Sequence, residues 1–368
     1  MIKRCFNKES ILSVLVVSYL VLLLFLPAFR SYEIPISLIA FSFISPLLIL
    51  YIFDWKLLKV EILFFLVIVI TGFINIQFTE SLTLRKQIYL LSNLITARMF
   101  LSKNSHAKHI KLMLYLYAGF IIATYYFGGI KQQIYYGSSE NAISICSIAV
   151  CSLYYTLSEH YKKEIDIFPA ILTFIICLLS RGRGGIISSL ILLIGVGLYI
   201  INNKFYTIWG RRIITFMLIL GMAYSIKFFI DNSHSLQEYA VFEHFLRRGL
   251  RSSSRLQIWD TYIYHATANI ESLLVGVNFD KIYASGNPHN SFLDIHRLHG
   301  GVGLLFVVYL IVNALLYAYT NGKRIFALCL IVFILRGFTD KALWGTQSTL
   351  IFFFFILAPY YWKRLGKI

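Results

Sequence analysis

Gly300-Gly301-Val302-Gly303-Leu304-Leu305-Phe306 opens an apolar run that continues to Tyr319 without one Asp, Glu, Lys or Arg. About 20 apolar residues in helical conformation cross roughly 30 Å of hydrocarbon, so this stretch reads as a membrane span. Working outward, similar runs lie near 11–29, 34–53, 57–78, 82–101, 110–130, 141–158, 165–180, 185–201, 212–230, 325–340 and 347–362. Together they make twelve spans. The composition agrees: 58% of the chain is hydrophobic and 14% charged, against about 25% charged in soluble domains. The expected fold class is an all-α polytopic integral membrane protein with about 12 transmembrane helices. The 82–101 run is the weakest, because Arg85, Lys86 and Arg98 interrupt it. The run from Ile11 to Phe29, behind Lys3, Arg4 and Lys8, is too long for a cleaved signal core and is expected to be the first span.

The net charge of +17 would suggest a nucleic-acid partner in a soluble protein. Here topology accounts for it. With the N-terminus inside, every cytoplasmic segment carries Lys or Arg (Lys56, Lys103, Lys162, Lys204, Arg211, Lys323, Lys363 among them). These segments hold more than half of the 34 basic residues, as the positive-inside rule requires. Both termini are then cytoplasmic. The expected organisation is residues 1–230 as spans one to nine, 231–299 as one long outer loop, and 300–368 as the last three spans. Of the five cysteines, Cys146, Cys151, Cys177 and Cys329 fall within spans, and none has metal-type spacing.

Loops as long as 231–299 usually carry function. Phe242, Phe245, Leu246, Gly249 and Leu250 keep a helical rhythm, with Glu243, Arg247 and Arg251 on the opposite face. A second amphipathic helix follows Ser252-Ser253-Ser254, with Leu256, Trp259, Ile263 and Ala266 on one face and Arg255 in its first turn. Both are expected to lie on the outer membrane surface. A Gly/Asn/Pro-rich stretch from Gly276 to Pro288 then delivers His289 and Asn290 one short segment before Gly300. An imidazole accepts a proton near neutral pH, as activation of a hydroxyl nucleophile requires.

Basic residues left on the outer side run against the orientation rule. Arg247, Arg248, Arg251 and Arg255 crowd nine residues. They suit either a polar helix face on anionic headgroups or a cradle for a phosphate-bearing substrate, because guanidinium forks match phosphate oxygens. Arg181 and Arg183 stand in Ser180-Arg181-Gly182-Arg183-Gly184-Gly185 between two spans. They read either as interfacial snorkelling side chains or, with glycines that let backbone N–H groups approach closely, as an anion site. His289, His296 and His299 have a spacing that a helix could align, but Asp294 would point elsewhere and no metal site is assigned.

His289-Asn290, nine intervening residues, then Gly300-x-x-Gly303 resembles the histidine signature of the O-antigen polymerase and O-antigen ligase superfamily of bacterial membrane glycosyltransferases. Ser180-Arg181-Gly182 before an apolar helix resembles its small-residue–Arg–Gly motif. Arg255-Leu256-Gln257-Ile258-Trp259, with Gly276 about twenty residues on, resembles its third block. The order agrees across residues 175–320. The ligase pattern of Arg, three residues, then Leu is not met, since Gly185 and Ile187 stand at those positions; this favours the polymerase. The resemblance implies inverting, metal-independent transfer of a glycan from undecaprenyl diphosphate on the periplasmic face of the inner membrane, with no cofactor. It implies His289 as general base, Arg181, Arg183, Arg255, Arg251 and Arg247 on the diphosphate or its entrance, and Asn290 orienting the histidine or binding sugar. Implied partners are the lipid-linked oligosaccharide, membrane lipids and a chain-length regulator protein. Transfer to lipid A core by a ligase, and a transporter or flippase for lipid-linked glycans, are the alternatives.

Overall fold

The computed structural model describes residues 8–25, 33–52, 57–79, 82–101, 106–128, 140–204, 255–283 and 288–365. The expected span at 212–230, the first amphipathic helix, and Arg247 and Arg251 lie outside the described residues. Those described form helices and turns, with no strand among them. In chain order the helices are α1 (Lys8–Leu24), α2 (Glu33–Ile52), α3 (Lys59–Phe78), α4 (Leu84–Thr96), α5 (Ala107–Gly128), α6 (Glu140–His160) and α7 (Phe168–Leu179). Then come α8 (Arg183–Lys204), α9 (Arg255–Ala266), α10 (Ile270–Val275), α11 (Ser291–Thr320), α12 (Arg324–Thr339) and α13 (Thr349–Leu365).

Five segments among the described residues are long and apolar enough to cross a membrane: Lys59–Phe78, Ala107–Phe127, Asn141–His160, Arg183–Asn203 and Ser291–Thr320. Ala40–Ile52 and Phe168–Leu179 are shorter apolar helices. The chain is thus a helical protein with membrane-spanning character. α6 is almost wholly buried and packs against α5, α7, α8 and α12. Around it, α11 lies against α3, α12 and α13. Outward aliphatic side chains such as Leu66, Leu112, Leu305 and Val312 are exposed, as helices facing hydrocarbon require. All four described cysteines are buried and free.

Buried polar groups fix the register at both ends. At one end the Glu159 carboxylate accepts from Ile325 N and Phe326 N, 2.9 Å each, and so satisfies the first turn of α12. At the same end Arg98 is fully buried and ion-paired with Glu61 of α3, with Arg98 Nε 2.7 Å from Oε1. Tyr361 Oη of α13 donates to the same carboxylate at 2.5 Å. Arg98 therefore points into the protein. The expected 82–101 span divides into amphipathic α4 and a tight 3-10 turn, Ala97–Leu101, that carries Arg98 inward.

The opposite end is organised around a break in α11. The expectation placed a helix start at Gly300. Helix instead begins at Ser291 and bends at Gly300, which holds φ 62° and ψ −171°. α10 lies in the bend: a Cβ on Gly300 would sit 1.8 Å from Leu274 O, and one on Gly276 2.6 Å from His296 O. The glycines admit backbone against backbone. Asn75 of α3 closes the joint, donating through Nδ2 to Val275 O (3.1 Å) and Arg297 O (2.9 Å). Its Oδ1 accepts from Leu82 N at 3.0 Å. Asn75→Ala strands these buried groups at about 1–3 kcal/mol for a stranded group. We expect a loss of about 3 kcal/mol, measured as a fall in thermal midpoint in detergent.

Candidate active site

α9 turns a different face inward from the one its apolar spacing suggests. Ile258, Tyr262 and Ala266 are buried, while Leu256 and Ile263 are 51% and 48% exposed. The reason is polar. Tyr262 Oη pairs with His296 Nδ1 at 2.7 Å, and Trp259 Nε1 donates to Pro288 O at 2.8 Å. Both amphipathic rings carry a group that needs a partner when buried, so Tyr262 is drawn inward beside Ile258, while Trp259 and Ala266 of the expected face stay inward with them. His296 Nε2 meets Leu273 O at 3.0 Å and His299 Nδ1 meets Thr71 Oγ1 at 3.0 Å. These two imidazoles are joints of the scaffold.

Trp259 thereby holds the residue before His289. His289 has φ 50°, a left-handed conformation uncommon outside glycine and worth attention at functional positions. Asn290 caps α11: its Oδ1 accepts from Phe292 N (2.8 Å) and Leu293 N (3.3 Å), and its Nδ2 donates to Phe338 O at 3.3 Å. The Asn290 amide is thus committed to backbone, and it orients the neighbouring imidazole by fixing the chain. Ser291 Oγ donates to Asp340 O at 3.0 Å and accepts from Ala342 N (2.9 Å) and Leu343 N (3.0 Å). The start of α11 is stitched to the α12–α13 connection.

That connection supplies a carboxylate the motifs did not announce. Asp340 follows the last residue of α12, and its side chain is 10% exposed. Its Oδ1 lies 3.8 Å from His289 Nδ1, and the imidazole is 35% exposed. Its Oδ2 lies 3.8 Å from Arg255 Nη2 and 3.6 Å from Arg336 Nη2. Arg255, at the start of α9, also donates to Thr339 O. The Asp340 carboxylate is largely buried, and His289, Arg336 and Arg255 face it as compensating positive charge.

The Arg181 turn abuts the same cluster. A Cβ on Gly184 would lie 2.6 Å from Thr339 Oγ1 and 3.2 Å from Arg336 Nη1, and one on Gly182 2.8 Å from Asn141 Oδ1. Arg181 itself has φ 57°, and its Nε is buried with no hydrogen-bond partner. A buried guanidinium nitrogen left without a partner fits a ligand-binding role. Arg183 opens α8 beside it. The structure thus brings Arg181, Arg255, His289 and Asn290 to one end of the bundle, and adds Arg336, Thr339 and Asp340. Arg336 and Asp340 lay unremarked within the apolar run at 325–340. Their cue was charge: an arginine four residues from an aspartate inside a span is costly unless paired or functional.

A groove of about 410 Å³ lies at the other end of the bundle, between α8 and α12. Leu198, Tyr199, Ile201 and Leu328 line it, with Arg324 among the lining residues. Among the described residues its wall is mostly apolar.

No protein-family model matches the chain. No curated protein sequence matches it either.

Proposed function

We propose that the protein is a membrane glycosyltransferase that polymerises a lipid-linked oligosaccharide on the periplasmic face of the bacterial inner membrane. The observation that carries this reading is the His289–Asp340 pair flanked by Arg255 and Arg336 beside the Arg181 turn. A carboxylate facing Nδ1 favours the tautomer that presents Nε2 as base. In the reaction the acceptor sugar hydroxyl attacks the anomeric carbon of the donor glycan and gives its proton to His289 Nε2. The bond from that carbon to the diphosphate oxygen breaks, and undecaprenyl diphosphate departs with the electron pair. A single displacement inverts the anomeric centre. Arg181 and Arg255 meet the negative charge that grows on the leaving diphosphate, and charge stabilisation of this kind is usually the largest catalytic contribution. One carboxylate among several guanidiniums leaves net positive charge, which suits a polyanionic leaving group.

The test is a reaction of purified protein with a carrier-linked repeat unit as sole substrate, separated on a gel. A ladder of products is expected. Product only after lipid A core is supplied would reassign the chain as a ligase. Movement of the lipid-linked unit across a vesicle membrane without bond formation would make it a transporter.

A further inference from the structure

Two arginines touch Asp340, and they differ in one respect. Arg255 has 29% of its side chain exposed, and its Nη2 stands 3.8 Å from the carboxylate. Arg336 has 0% exposed, and its Nη2 stands 3.6 Å from the carboxylate; its Nε is buried without a hydrogen-bond partner, while both terminal nitrogens are held. Its Nη1 donates to Thr339 Oγ1 at 2.9 Å. Its Nη2 reaches Asn141 O and Ser144 Oγ, 3.4 Å each, on α6. The helix end it occupies is closed by Gly184, where any side chain would collide with Thr339 and Arg336. Among the described residues Arg336 is closed off from solvent, and Arg255 is partly open to it.

We propose that Arg336 is the fixed counter-ion of Asp340, a positioning residue whose permanence lets Arg255 pass from Asp340 to the phosphate of an anionic ligand. This rests on the diphosphate-transfer reading for the identity of the ligand. The charged groups facing Asp340 are His289 from the segment before α11, Arg255 from α9 and Arg336 from α12. Lys341, the next residue, is turned away to Asp294 at 2.8 Å. When a phosphate draws off Arg255, only Arg336 and His289 remain to compensate Asp340. A carboxylate left without the buried arginine would compete with the ligand for Arg255, because a buried charge demands a partner.

The test uses the purified full-length protein, with inorganic diphosphate as probe and calorimetry as readout. Arg255→Gln weakens binding directly. Arg336→Gln is expected to weaken it about tenfold although Arg336 cannot touch the probe, in the range found for coupled neighbouring charges. Adding Asp340→Asn to Arg336→Gln is expected to restore binding to near that of Asp340→Asn alone, because nothing then holds Arg255 back. Equal binding by wild type and Arg336→Gln overturns the proposal, as does a double variant no better than Arg336→Gln. The thermal midpoint of the double variant shows that it is folded. A second readout does not need the probe: the infrared band of protonated Asp340, assigned with Asp340→Asn, is expected at higher pH in Arg336→Gln. An unmoved band overturns Arg336 as the counter-ion. If wild type shows no diphosphate binding while the band moves, the diphosphate reading fails and the Arg336–Asp340 tie stands.

Discussion

His289→Ala is expected to lower glycan transfer by about 10²–10⁴-fold, the usual contribution of a positioned general base, while binding of the lipid diphosphate persists. The reason is spatial. His289 meets Asp340 at one ring nitrogen, whereas the proposed mechanism assigns the diphosphate to Arg255 and Arg181. Asp340→Asn separates the two roles further. It removes the carboxylate that selects the tautomer, so turnover falls by about 10²-fold or more. It also releases Arg255, so diphosphate binding is unchanged or tighter. A fall in kcat with no rise in KM is the signature to seek in a steady-state assay of both variants. A His289→Ala protein that still builds the full ladder would end the general-base reading. An Asp340→Asn protein with weakened binding and unchanged kcat would make the aspartate a ligand contact rather than an orienting group.

What the sequence displayed and what it hid follow from one physical distinction. Spans are legible because apolar runs of sufficient length have few alternatives in a bilayer. The motif residues Arg181, Arg255 and His289 were legible because polar groups beside such runs are conspicuous. Asp340 and Arg336 were not, since each compensates the other and together they leave a hydrophobic average intact. The start of α11 was misplaced for the same reason in reverse. Asp294, His296, Arg297 and His299 fall in the expected loop, yet each pairs with a residue well away in the chain: Lys341 for Asp294, Tyr262 and Leu273 for His296, Asp280 for Arg297, and Thr71 for His299. Tertiary partners do not appear in local periodicity. Neither does the rotation of α9 that carries Tyr262 to His296.

Gly300→Ala is expected to destabilise the protein by more than about 4 kcal/mol, enough to prevent accumulation of folded protein. Two penalties combine. The glycine's φ of 62° with ψ of −171° belongs to a region essentially restricted to glycine, and an L-residue there costs about 1–3 kcal/mol. The new methyl would also lie 1.8 Å from Leu274 O and 2.5 Å from Leu274 C. Those are backbone atoms of α10, and the adjoining Val275 carbonyl is held by Asn75. Forced overpacking adds about 1–3 kcal/mol or more when the neighbour cannot yield. Gly322 provides the control, with a similar φ of 63° but nothing within 4 Å of its missing Cβ; its alanine variant should show the conformational penalty alone, about 1–2 kcal/mol. Size-exclusion profiles and thermal midpoints in detergent distinguish the two. The comparison also separates two meanings of the glycine in the His289–Gly300 spacing. If Gly300→Ala folds normally and only transfer is lost, the glycine makes room for substrate. If folding fails, its place in the motif is architectural: it bends α11 so that Ser291 can fasten the Asp340 turn beside His289.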